Sequence, residues 1–175
     1  MKLFTIKNTG LFMTRLLSEK ETAFDNFLLN EASVISGISY IIDGRLNKNF
    51  YSETDYEQMR SEALEKHQIF SEDFIRFNKV KPFCYNCIKG KNTPLSFKFV
   101  FHLPKEEVLK LVENIDCGFS INDINSLNIT IKYDGTATTC TTAISLKVFT
   151  LDKTLENSWD NYIYGFLTTN GINID

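Results

Sequence analysis

Residues that announce chemistry are scarce in this chain. Its 175 residues include two histidines, one tryptophan, three prolines and four cysteines. His67 and His102 stand alone, with no HExxH pair and no nucleophile elbow, so the usual patterns of zinc and serine hydrolases are missing. No apolar run approaches the ~20 residues of a membrane-spanning helix, and the stretch after Met1 is too short for a signal peptide. The expected setting is therefore the cytoplasm, away from the membrane. The cysteines then read as reduced thiols, and Asn128-Ile129-Thr130 as an unused glycosylation sequon. No signature calls for a cofactor.

What is present is charge, unevenly spread. Between Arg76 and Lys105 lie seven basic residues: Arg76, Lys79, Lys81, Lys89, Lys91, Lys98 and Lys105. All 22 acidic residues lie outside that segment, together with 12 of the 19 basic ones. A concentrated charge produces a field that scattered charges cancel, so 76–105 is the expected partner-facing surface. The partner would be anionic, either nucleic acid or an acidic protein surface. Lys79, Lys81, Lys89, Gly90, Lys91, Lys98 and His102 are the residues expected to meet it. The competing account has the segment neutralised by the chain's own acidic stretch at 53–73, or simply solvated. Phe77, Phe83, Tyr85, Phe97, Phe99 and Phe101 interleave with the cations, as base-stacking residues do, but Phe97, Phe99 and Phe101 share the strand face opposite Lys98 and belong to the core.

Two motifs inside the segment bear on chemistry. Lys89-Gly90-Lys91-Asn92-Thr93-Pro94 fails as a P-loop, because Tyr85 stands at the first glycine position and Asn92 follows Lys91. A glycine bend between two lysines can still expose amides and positive charge to an anion. The plainer account makes Gly90 a helix C-cap with lysines favoured at the helix end. Cys84-Tyr85-Asn86-Cys87 is a CxxC that suits a redox pair or half of a zinc site. Its only possible companions are lone residues (Cys117, Cys140, His67, His102), and on a helix begun by Pro82 the two thiols fill core positions instead.

Periodicity gives the fold class. Leu95 to Leu103 alternates as a strand, and Pro104 opens a helix with Glu106 and Glu107 in its first turn. Leu127 to Tyr133 is a second strand, and Asp134-Gly135 predicts a two-residue hairpin that sets Cys140 opposite Ile129. Leu151, Leu155, Trp159, Tyr162 and Phe166 share one face of a C-terminal helix ended by Gly171. The first half repeats the order: a strand at 2–6, a helix capped by Asn8, extended runs at 24–35 and 38–46, and a helix from Tyr51 to His67 opened by Ser52 and Asp55. A further helix is expected from Pro82 to Lys89. The reading is an α+β fold on antiparallel sheet, one domain over 1–175, with two similar halves (1–70 and 95–175) joined by 71–94. A duplicated β-α-β-β-α order resembles sliding-clamp domains, although the 104–115 helix mixes lysine with glutamate where a clamp's helices are basic.

Three phrases carry a family resemblance. They are Phe27–Ala32 with Ile42–Lys48, then Lys81–Cys84 through Ile88–Lys98, and Phe149–Glu156 to Trp159-Asp160. They resemble a family of uncharacterised proteins from anaerobic clostridial bacteria. The resemblance implies a stand-alone domain with no active site to carry over. The expected function is thus a non-catalytic binding or accessory module. A thiol or zinc protein using Cys84 and Cys87, or a small enzyme with its site between the halves, are the alternatives.

Overall fold

A computed structural model of the chain describes residues 1–115, 118 and 120–175; Cys117 lies outside them. The strands are β1 (Leu3–Ile6), β2 (Leu28–Ile35), β3 (Ser39–Asp43), β4 (Ser96–His102), β5 (Ile124–Tyr133) and β6 (Thr138–Leu146). The helices are α1 (Thr9–Leu17), α2 (Glu53–Glu65), α3 (Phe77–Ile88), α4 (Lys105–Glu113) and α5 (Thr154–Thr169). All six strands join one antiparallel sheet in the order β1-β6-β5-β4-β2-β3. The chain is an α+β fold. The β-α-β-β-α order does recur, but the pairing does not: β1 pairs with β6, and β2 with β4, so each half completes the other's sheet.

One face of the sheet is dry. Phe97, Phe99 and Phe101 of β4 and Leu127, Ile129 and Ile131 of β5 point into it, as their alternation requires. Helices α1, α3, α4 and α5 pack on that face, contributing Phe12, Leu16, Phe77, Val108, Leu155, Trp159 and Ile163 to a single core. The opposite face, with Ser33, Lys98, Thr130, Lys132 and Thr141, is only partly shielded from solvent. The two sheet edges differ. Beside β1 the chain's last residues add hydrogen bonds, from Lys7 N to Asn173 O and from Asp175 N to Thr5 O, each 3.0 Å. β3 ends the sheet on the other side.

Local chemistry set several boundaries as expected. Asn8 caps α1 by accepting from Leu11 N at 2.9 Å, and Ser52 with Asp55 forms a reciprocal capping box on α2. Other expectations are corrected. The β5–β6 connection spans Asp134 to Ala137, because the Asp134 carboxylate accepts from Thr136 N (2.9 Å) and Ala137 N (3.0 Å) and widens the turn. These donors hold the Asp134 carboxyl down to about 2. Cys140 therefore faces Ile131, not Ile129, a shift of two that keeps it on the buried side. Leu151 precedes α5 and is 83% exposed, since Asp152 captures Thr154 N at 2.8 Å and starts the helix later. α3 begins at Phe77, and Pro82 lies inside it, lacking the N–H that would reach the Asn78 carbonyl. The first extended run begins at Leu28, since 21–27 is occupied by turns.

Gly44 follows β3 where the chain passes Leu29. A Cβ built there would lie 1.9 Å from the Leu29 carbonyl oxygen, so no larger residue fits without moving backbone. Gly44→Ala should lower stability in urea unfolding by roughly 2–3 kcal/mol through overpacking. Gly37→Ala, where an added Cβ meets nothing within 4 Å, should stay within about 0.5 kcal/mol of the parent.

Candidate anion-binding face

The basic segment forms α3, the loop after it and β4, and most of its charge is already answered. Arg76 is tied down from three sides, reaching Glu106 at 2.7 Å and the carbonyls of Asn26 and Ile69 at 3.0 Å each. Lys81 is 4% exposed and donates to Asp25 at 2.5 Å and to the Glu21 carbonyl at 2.8 Å. Lys79 lies 3.7 Å from Glu62 of α2, and Lys98 lies 3.2 Å from Glu31 of β2. Four of the seven cations thus face carboxylates from outside the segment. Lys79–Glu62 and Lys98–Glu31 are exposed pairs worth at most about 1 kcal/mol, so an external anion can compete for those two lysines. Lys81 is different: its charge serves the interior.

The α3 helix explains this sorting. Phe77, Lys81 and Cys84 recur at helical spacing and face inward. Had the helix been read from Phe77, the same periodicity would have placed Lys81 with the core. Its exposed positions are Lys79, Pro82, Phe83, Tyr85 and Asn86, with Tyr85 on the flank that lines the α1–α3 cleft and Phe83 on the other, and α3 has no acidic residue. Phe83 is 63% and Tyr85 49% exposed, which sequence periodicity alone did not separate from the core aromatics. Lys89 caps the C-terminus of α3, with its ammonium 6.0 Å from the centre of the Tyr85 ring. Gly90 follows with φ 156°, outside the range that L residues favour, and leads to exposed Lys91. Between α1 and α3 runs a cleft of about 770 Å³ whose walls include Glu19, Lys20, Lys81, Tyr85 and Lys89. The structure therefore sets Lys89 beside Tyr85 on the cleft that Lys20 also lines, with Gly90 and Lys91 next in the chain, while Lys98 and His102 stand elsewhere.

His102 and Lys98 project from β4 on the side away from the aromatic core. The His102 ring nitrogen meets the Asn30 amide at 2.9 Å, and its ring packs edge-on against Phe74 at 4.6 Å. Burial lowers its pKa, so near neutral pH it offers hydrogen bonds and no charge. It lines a second cleft of about 500 Å³ with Ser71, Lys105, Ser126 and Lys147. Among the described residues no carboxylate hydrogen-bonds to it; its side-chain partner is the Asn30 amide. Cys84 lies in the core and burial pushes its thiol up to about 12; Cys87, half-buried, is raised for the same reason. A thiol held protonated is a poor nucleophile and a poor metal ligand. No group of three or more His, Cys, Asp or Glu suited to a metal ion occurs among the described residues, and no helix there is long and apolar enough to cross a membrane.

A family model described as a family of unknown function (DUF5721) matches residues 15–175, and the chain belongs to that family. Neither the curated proteins nor the solved structures gave a significant match.

Two outcomes follow from the site's geometry. Lys81→Met leaves Asp25 without its counter-charge and should cost about 3 kcal/mol in chemical unfolding, whereas Lys89→Gln and Lys91→Gln should cost less than about 0.5 kcal/mol. Alkylation of the native protein followed by peptide mass spectrometry should leave Cys84 and Cys140 unmodified over the time in which Cys87 reacts slowly.

Proposed function

We propose that this DUF5721 protein is a non-catalytic binding module whose outer α3 surface, continued by the Lys89-Gly90-Lys91 bend, docks single-stranded nucleic acid. The observation that carries the reading is the exposure of Phe83 and Tyr85 on a helix without acidic residues, flanked by Lys79 at one end and Lys89 at the other. Exposed aromatic rings on a basic surface suit bases that stack while phosphates meet ammonium groups. Base stacking on the rings with phosphates at the ammonium groups uses both features together, which is why nucleic acid is preferred over an acidic protein surface. Lys20 adds a further cation across the α1–α3 cleft. The cytoplasm of a bacterium, clostridial by the three sequence phrases, is the compartment that fits, since nucleic acid is available there and thiols stay reduced.

The test is anisotropy of a labelled oligodeoxythymidine and of a matched duplex from about 50 to about 200 mM salt. The single strand should bind more tightly, with a log–log slope equivalent to several released counterions. Lys89→Gln/Lys91→Gln should reduce that slope by about 2 with an unchanged melting temperature. Phe83→Ala/Tyr85→Ala should weaken binding about tenfold or more at every salt concentration, as each stacked base contributes ~1–3 kcal/mol. Equal affinity for all three proteins, or none at low salt, sinks the reading and turns attention to the His102 cleft as an enzyme site.

A further inference from the structure

Helix α2 stands apart from the main core: Ala63 is its one buried residue, and it is absent from the core cluster. A separate aromatic group fastens it. Tyr51, Tyr56 and Phe70 pack in series with ring centres 5.7 and 6.1 Å apart, and the Arg60 guanidinium lies 5.9 Å from the centre of Phe70. Between α2 and the segment leading into α3 is a cavity of about 350 Å³. Leu46, Tyr51, Met59, Phe70, Phe74 and Ile75 form its apolar wall. Its size falls within the range of small-molecule sites, which combine such walls with a few convergent polar groups.

Two polar atoms here are buried without a partner. One is Oδ1 of Asn78, a residue that lines the cavity; the other is the hydroxyl of Tyr56, whose ring packs behind Tyr51 and Phe70 and does not line the cavity. Buried polar atoms nearly always have partners, so the orphan on a cavity-lining residue, Asn78, asks what completes it. An amide oxygen accepts only, so its missing partner is a donor. The charges at the rim offset one another, with Lys66 and Lys79 set against Asp55 and Glu62, and Arg76 is committed to Glu106. Neither a strong anion nor a strong cation is favoured there. The aromatic wall favours a flat molecule.

We infer that this cavity binds an uncharged, planar heteroaromatic molecule of one or two rings whose N–H donates to Asn78. The site is distinct from the outer face of α3 and does not require the nucleic-acid reading. The experiment is calorimetric and ligand-observed NMR titration of the full chain with adenine and with indole. At least one probe should bind saturably at one site. Asn78→Ala should weaken that binding at least tenfold while leaving the melting temperature no lower than the parent's, because the substitution removes an unpartnered atom. Ala63→Phe, which fills the cavity, should abolish it. Absence of saturable binding by both probes overturns the inference. So does binding that Asn78→Ala leaves unchanged, or a marked fall in the melting temperature of Asn78→Ala, which would mean that water already completes the amide.

Discussion

β4 pairs with β2 along one side and with β5 along the other, and through these two ladders the N-terminal hairpin and the C-terminal meander become one sheet. Its side chains pay for the arrangement with Phe97, Phe99 and Phe101, of which the last two stack with centres 6.0 Å apart while Phe77 of α3 meets Phe101 at 4.9 Å. Each such ring removed from water is worth about 1.5–3 kcal/mol. Because the strand is oily on one side only, the helices that cover it must gather there. That requirement fixes which side of α3 turns inward, and so which of its residues are left for a partner.

The basic segment shows how a charge excess in sequence can be redistributed by folding. Arg76 and Lys81 reach carboxylates that lie far from them in the chain, Glu106 and Asp25, and both pairs are largely shielded from water. Such pairs add little net stability over an apolar replacement, yet each strongly constrains its neighbours, since a buried charge left alone is costly. Lys81–Asp25 fastens α3 to the turns before β2. Lys79–Glu62 joins α3 to α2, and that contact belongs to the acidic stretch 53–73 that the sequence offered as an internal counterweight. Of the segment's cations this leaves Lys89 and Lys91, at the end of α3 with Lys20 nearby across the cleft, and Lys105 at the start of α4.

How much of this could be read in advance depended on whether the signal was local. The alternation of 95–103, the capping box at Ser52 and Asp55, and the Asn8 cap are short-range, and each recurs in the folded chain. The Asp134 turn misled because Asp134-Gly135 suits a two-residue loop, whereas the carboxylate's hold on two amides is equally local but invisible as a pattern. Pro82 misled for a related reason: proline is favoured at a helix start, and only tertiary packing of Phe77 and Lys81 explains a helix that tolerates it within. For the candidate site, the lysines were legible as composition. Their pairing was not, since Asp25, Glu31, Glu62 and Glu106 come from four different elements or turns. The exposure of Phe83 and Tyr85 depended in turn on the phase of α3.

The pairing of β1 with β6 also has a consequence in time. Lys2 and Thr142 hydrogen-bond across 140 positions of chain, and the residues beyond Asn170 then close over the same edge. At ribosomal speeds of ~5–20 residues per second, the first strand waits on the order of ten seconds for its partner. Throughout that interval the alternating Phe4 and Ile6 have no sheet to enter. Early chain must therefore be kept from wrong company until late chain arrives, a demand on chaperones and translation rate written into the strand order.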